Sequence, residues 1–499
     1  EGGDLQLAIT GRQLHRPDRW GDVTVKIKVK NLDACNYERI LNTPLDIYRG
    51  RLNGEVQVHL HDERTWRYFP DITGRVKVDQ LDFHIWDAPD DFYGVDMKLY
   101  LEDNAMFIHK ATGAYGAIPL VASGEMGIDP KGQYRLVAQI PGVEINALRE
   151  TLAGRPTPYP VHGAVGGTLH VSGDLEYPVY SGTAVALPLT AAQRAGSPAS
   201  VAKDTVAAEA NRGAIAAYHM VPLRAAQVVF TFDQRTSTFR MHAAEGQPVG
   251  GGFATASGTI WCAPGVEEDP RAVNVQFRAE DVPADGILER YVTALADGVQ
   301  VPPSVRIGPA RVSGSMVGAH LSPRVQATAE APESGAFGDM EITRDQAKFN
   351  GQGPYFEAAA ALKTKYPPKE VQLAAITQAE ATRVAKPLVE GADIKCNLKN
   401  LDIMPFVSAT APVDHMTSAQ PLRLRMSGDT NFKGTLKKGK GADIEPTYTG
   451  RLKLKGVRFN QLNLAREMRG TMAVSPSAVS VKARGLRADE RIDVELNIP

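Results

Sequence analysis

His59 and His61 stand two residues apart in the stretch GEVQVHLHDE, with Glu55 on the same side and Asp62 and Glu63 next along the chain. A His-x-His pair on one strand face can seat a metal of the zinc type. Histidines beside a turn are more often plain exposed residues, so the expectation is that no metal binds. The Gly250-Gly251-Gly252 run lacks the Lys-Ser/Thr that completes a phosphate-cradling loop and reads as a bulge or loop. Cys35, Cys262 and Cys396 are odd in number and far apart, which gives neither a disulfide framework nor a zinc spacing; they read as small buried hydrophobes. Lys433, Lys437, Lys438 and Lys440, spaced by Gly434, Gly439 and Gly441, read as a flexible basic loop. There is no G-x-S-x-G, no His-Glu-x-x-His and no Cys-x-x-Cys, and no carboxylate pair is marked out as acid and base. The expectation is a non-enzyme with no catalytic residue, no cofactor and no metal.

The elements that would have to position any such group are alternating strands. Val23, Val25, Ile27 and Val29 share one face, and Thr24, Lys26, Lys28 and Lys30 the other. The same split recurs in Val273/Val275/Phe277, in Leu422/Leu424/Met426 and in Ile492/Val494/Leu496. Val25, Ile27, Val273, Val275, Leu422 and Leu424 are therefore the candidates for one continuous apolar inner face. Glycines such as Gly74, Gly124, Gly182, Gly258, Gly314, Gly428, Gly450 and Gly470 read as turn punctuation, which divides the chain into roughly 40 short strands, mostly antiparallel. One longer helix is expected near residues 197–217. It cannot cover that many apolar strand faces, so the sheet must curl until its apolar face looks at itself.

The 499 residues carry 46 Gly and 33 Pro but only 7% aromatics, a mix that suits many strands and turns. A formal net charge of -1 argues against a nucleic-acid partner, and Trp20, Trp66, Trp86 and Trp261 are too scattered to stack bases. Between Pro421 and Ala488 there are 15 Lys or Arg against 4 Asp or Glu, a local excess of +11. This is either a solvated outer face or a docking surface for an acidic partner or anionic lipid head groups. No window of 18 uninterrupted apolar residues exists, and the chain opens on EGGDL without an apolar leader, as a segment of a longer or processed protein would.

A strand, a short loop and a brief helical turn recur four times, as VTVKIKVKNLDACNYERIL from Val23, YRLVAQIPGVEINALRETL from Tyr134, VNVQFRAEDVPADGILERYV from Val273 and DIKCNLKNLDIMPFV from Asp393. One supersecondary unit reused along a line predicts an elongated scaffold or conduit. The expected units are 1–130, 131–270 with the inserted helix, 271–390, and 391–499 with the basic surface. The repeat resembles the TamB and AsmA-like family. The segments SVAKDTVAAEANRGAIAAYHMVPLRAAQVVFTF from Ser200, GTIWCAPGVEEDPRAVNVQFRAEDVPADGILERYV from Gly258, TPYPVHGAVGGTLHVSGDLEYPVYSG from Thr157 and ARVSGSMVGAHLSPRVQATAEAP from Ala310 resemble its plastid branch, the very large TamB-like subunit of the chloroplast inner-envelope translocon. That resemblance implies an all-β, U-shaped antiparallel sheet, a β-taco with an apolar trough. It implies a protein of the inner envelope membrane whose segment here lies in the intermembrane space. The implied role is to bridge the outer (TOC) and inner (TIC) translocons for preprotein import, with the POTRA domains of the outer-envelope barrel, other TIC and TOC subunits and transiting preproteins as partners. Bacterial relatives suggest the alternative of a conduit for lipid transfer or outer-membrane protein assembly. A carbohydrate-active β solenoid is the enzyme reading, and it would need carboxylates grouped on one strand face.

Overall fold

Period-two alternation with little helix leaves backbone pairing as the only way to satisfy so many extended N–H and C=O groups. The computed structural model describes residues 3–11, 23–35, 45–60, 70–85, 88–128, 132–152, 161–196, 201–263, 265–266, 268–295, 307–320, 322–343, 346–353, 356–365, 388–402, 424–438, 444–459, 462–475, 478–487 and 490–498. These form 27 strands in one sheet. Two short ones, Val161–His162 and Ala216–Tyr218, pair with each other at one side. The remaining 25 follow in chain order, each antiparallel to the next, from Asp4–Gly11 to Glu490–Ile498. No pairing among the described residues joins the first strand to the last, so the sheet is open. The strands that flank positions 130 and 270 pair with each other, Ile118–Gly127 with Gln133–Glu144 and Phe253–Trp261 with Val273–Pro283, and position 390/391 falls inside the strand Leu388–Asp402.

Among the described residues there are fewer strands than the glycine spacing predicts, because these glycines do not turn the chain. Gly74, Gly124, Gly258, Gly428 and Gly470 lie inside strands Asp71–Ile85, Ile118–Gly127, Phe253–Trp261, Leu424–Lys438 and Leu462–Ser475. At Gly124 φ is +135°, and a Cβ there would collide with the carbonyl of Arg135 on the neighbouring strand. Only glycine tolerates both that backbone region and that approach.

Strand direction alternates along the file, so Val23–Asp33, Gln133–Glu144, Val273–Pro283 and Leu388–Asp402 all point the same way. The segments that follow them all leave from one rim. There lie the helices α1 (Ile145–Thr151), α2 (Ala191–Gly196), α3 (Val201–Glu209) and α4 (Ala284–Leu295). The opposite rim carries tight connections such as Asp233 to Thr238. The helix expected at 197–217 is shorter: α3 spans 9 residues, tightens into a 3-10 turn at Ala210–Arg212 and stops at Gly213 with φ +87°. The chain is then recruited by strand pairing from Ala216. Residues 197–200 lie outside the described residues.

Just before the helical rim the register slips between Val29 and Leu32 and between Ala279 and Val282, with Asn31 and Asp281 both at φ +52°. Such bulges add twist and bend a strand, which turns its end over the apolar face. Burial follows that bend. One core gathers Ala34, Val78, Leu81 and Val95, another Val282, Ala310 and Ala331, and a third Leu454, Val457, Ala465 and Met468.

Candidate functional surface

The pairing registers place one apolar line across the strands. Leu5 faces Val29, which faces Gly54, Val76, Leu99 and Ile108 in succession. The line continues through Gly124, Leu136, Val171, Tyr180 and Phe232. Phe239, Ile260 and Val273 extend it. A parallel line passes from Phe277 through Gly314, Ala327, Met340 and Phe349. Cross-strand apolar and aromatic pairs of this kind are the stabilising unit of a sheet, each contributing about 0.2–1 kcal/mol. Tyr180 and Phe232 rings lie 6.2 Å apart, and those of Phe230 and Phe239 lie 5.4 Å apart.

Of the six residues expected on this face, Val273 and Val275 are buried, at 5% and 6% exposure. Val25 and Ile27 are half-buried and face Val58 and Val56. Leu422 lies outside the described residues, and of Leu424 only the strand that holds it is described. The face is not sealed everywhere: Met340 is 37% and Phe349 44% exposed. Burial raises the Tyr180 hydroxyl above its usual pKa, and Tyr134 and Tyr115 raise it further. Tyr115 ends its strand at the helical rim, whereas Tyr134 opens its strand at the other.

The helical rim is held by specific polar contacts. Glu144 caps α1, its carboxylate accepting from the backbone N–H of Asn146 at 3.0 Å and of Ala147 at 3.1 Å. Its carboxyl is raised chiefly by burial, and those N–H groups oppose the shift. His162 Nδ1 lies 4.0 Å from Glu144 Oε1, and burial, with Lys203 adding, lowers the imidazole below its usual value. Asp285, in the first turn of α4, accepts from the N–H groups of Ile307 at 2.7 Å and Gly308 at 3.1 Å, fixing the start of the next strand. Arg290 of α4 pairs with Glu209 of α3, joining two helices 81 residues apart in sequence.

The residues singled out for chemistry do not converge. His59 Nδ1 sits 3.0 Å from Thr24 Oγ1, and His61 lies outside the described residues. Among the described residues no three His, Cys, Asp or Glu side chains form a metal-ligand group. Gly250 to Gly252 make the turn between two strands, with φ of +99°, +119° and +81°. The cysteine expectation needs correction: Cys262 is exposed and Cys35 only half-buried, because both lie just past the ends of their strands, Cys262 directly after Trp261 and Cys35 two residues after Asp33. The basic loop also needs correction. Lys433, Lys437 and Lys438 belong to the strand Leu424–Lys438, whose pairing with Ile444–Phe459 spans them, and Lys440 lies outside the described residues. What the sequence reading missed is the rim bulge. Its signal was legible as the Asn31, Gly142, Asp281 and Asn400 that hold equivalent places in the four repeat copies, residue types that tolerate left-handed backbone.

The described residues thus define an open antiparallel meander with one apolar and one charged face and helices along one rim. No protein-family model matches the chain, and no solved structure matches it. It is 28% identical over 498 residues to "Protein SUBSTANDARD STARCH GRAIN 4, chloroplastic" of Oryza sativa subsp. japonica, covering 95% of this chain and 23% of the relative. It is 29% identical over 488 residues to "Protein TIC236, chloroplastic" of Arabidopsis thaliana, covering 94% of this chain and 22% of the relative. The chain is similar to these two chloroplastic proteins over nearly all of its own length, and it spans less than a quarter of the length of either.

Proposed function

We propose that the chain is part of a non-enzymatic bridge in the chloroplast protein-import translocon, lying in the intermembrane space as a segment of an inner-envelope protein. It would connect the inner (TIC) and outer (TOC) machinery through the POTRA domains of the outer-envelope barrel. The observation that carries the reading is the single file of 25 strands in a chain similar to TIC236. At roughly 4.8 Å per strand such a file reaches about 120 Å along its hydrogen bonds, a scale suited to spanning between membranes. An open sheet edge also offers unpaired N–H and C=O groups to a partner's strand. Preproteins would be the cargo served, and neither a cofactor nor nucleic acid enters the account. The test is site-specific crosslinking from this segment in intact chloroplasts, combined with depletion of the protein. POTRA adducts and a loss of preprotein import support the bridge; unimpaired import after depletion overturns it.

A second reading, a conduit for lipid between the envelope membranes, is favoured by the half-exposed Met340 and Phe349 on the inner face. An apolar surface left partly open along a trough is what an acyl chain could occupy.

A further inference from the structure

On the outer face of the early strands unlike and like charges both meet across strands, and Lys77 faces Lys98, which faces Lys110. Lys28 is the register partner of Glu55, and Glu55 of Arg75. Arg135 bonds its partner Glu125 at 2.8 Å. The late strands carry a second like-charge row, and this one borders a groove. Lys453 stands opposite Arg469, and Arg469 opposite Arg484. Like charges directly across a strand pair are destabilising, so this row carries a cost, offset in part by Asp429 opposite Lys453 and Asp493 opposite Arg484. Arg451 and Lys455 flank Lys453 at two-residue spacing on the same face, which adds to the cost.

The acids nearby are already engaged. Arg469 bonds Glu467 and Arg484 bonds Asp493, each at 2.9 Å, while Asp429, on the other side of Lys453, accepts from Asn397 at 2.9 Å. Among the described residues no carboxylate forms an ion pair with Arg451 or Lys453. The Glu467 carboxyl is held below its usual range by the Arg469 hydrogen bond, with Lys453 and Lys455 contributing. Arg451, Lys453, Arg469 and Lys395 line a groove of about 670 Å³ together with Asn397 and Asn431.

We propose that this groove on the outer face is a docking surface for an acidic, extended polypeptide segment. Charge complementarity supplies the attraction and would relieve the like-charge row. A polypeptide fits better than a lipid surface for two reasons. The groove interleaves Lys395, Arg451, Lys453 and Arg469 with Asn397 and Asn431, donors and acceptors suited to a peptide backbone, and its two carboxylates, Glu357 and Asp429, leave the cations in excess. It also lacks the aromatic side chains that anchor a surface at a bilayer interface. The inference stands apart from the bridge reading and survives its failure.

The experiment measures binding of a labelled peptide of alternating Glu and Asn to the full chain by fluorescence anisotropy. An otherwise identical Gln–Asn peptide and vesicles containing phosphatidylglycerol serve as the other arms. Salt-sensitive binding of the acidic peptide is expected, weakened at least about tenfold in the double variant Lys453→Glu/Arg469→Glu. The milder Arg469→Gln variant removes one like charge from the row without creating a new pair, so it should fold as the wild type does and bind the peptide more weakly. Equal binding of the two peptides, undiminished binding by both variants, or binding to the vesicles without binding to the acidic peptide would each overturn the proposal.

Discussion

Gly124 faces Leu136 across two adjacent antiparallel strands, so close that a methyl group on Gly124 would strike the carbonyl oxygen of Arg135. The same arrangement recurs at Gly428, φ +149°, against the carbonyl of Lys453. Both positions combine a positive φ with a close approach of the neighbouring strand's backbone. Gly124→Ala is therefore expected to cost at least about 2 kcal/mol from backbone strain alone. Hydrogen exchange of the amides in Ile118–Gly127 and Gln133–Glu144 reads the loss locally. Wild-type protection in the variant would contradict it.

Gly286 is the contrasting case. It sits in the first turn of α4 with open space around its Cα. Replacing it with Ala removes conformational freedom from the unfolded chain without a clash, so Gly286→Ala should stabilise α4 by about 0.5 kcal/mol. Slower exchange of the α4 amides is the expected result, and faster exchange would show that the glycine is required there.

The contrast between these two glycines marks what the sequence could convey. Alternation alone exposed the strands, because a half-buried strand must alternate, and the faces of Val25, Ile27, Val273 and Val275 followed from it. Gly74, Gly124 and Gly258 misled because glycine favours both turns and close backbone approach, and only the neighbouring strand decides between them. The inner line from Leu5 to Val273 was not legible at all. Register is set by pairing across strands, and a slip such as that between Ile108 and Ala111 moves it without leaving a mark in the alternation. The helix at α3 was overextended because Ala-rich sequence runs on past Gly213, where strand pairing overrides helix propensity.

Val275 is 6% exposed and faces Gly258 and Met316. Val275→Asp places an unpaired carboxylate there and should destabilise the surrounding strands by several kcal/mol. Val275→Thr, which keeps the shape, should cost less. Equal exchange protection in the two variants would show that the site is wetter than its burial indicates.

The polar rim should titrate. His162 has its pKa lowered by burial from the ordinary 6.5, so its contribution is fully present above that value and is lost as the pH falls through the depressed folded value. Glu144 is shifted the other way, its carboxyl raised by burial, so its contribution is present at low pH and is lost as the pH rises. Exchange protection of the α1 amides should drop on acidification from about pH 7 to 5 in the wild type and change less in His162→Gln. The same drop in both proteins would assign it to another group.

The central claim, a bridge that does not depend on its trough, is tested most directly by charging the trough where the fold can bear it. Met340 and Phe349 are register partners on the inner face, 37% and 44% exposed. In the double variant Met340→Asp/Phe349→Asp, with folding and partner crosslinking verified, preprotein import into chloroplasts is measured beside lipid transfer between envelope membranes. The account predicts import at the wild-type rate whatever happens to lipid transfer. A folded, partner-bound variant that fails to import would contradict it.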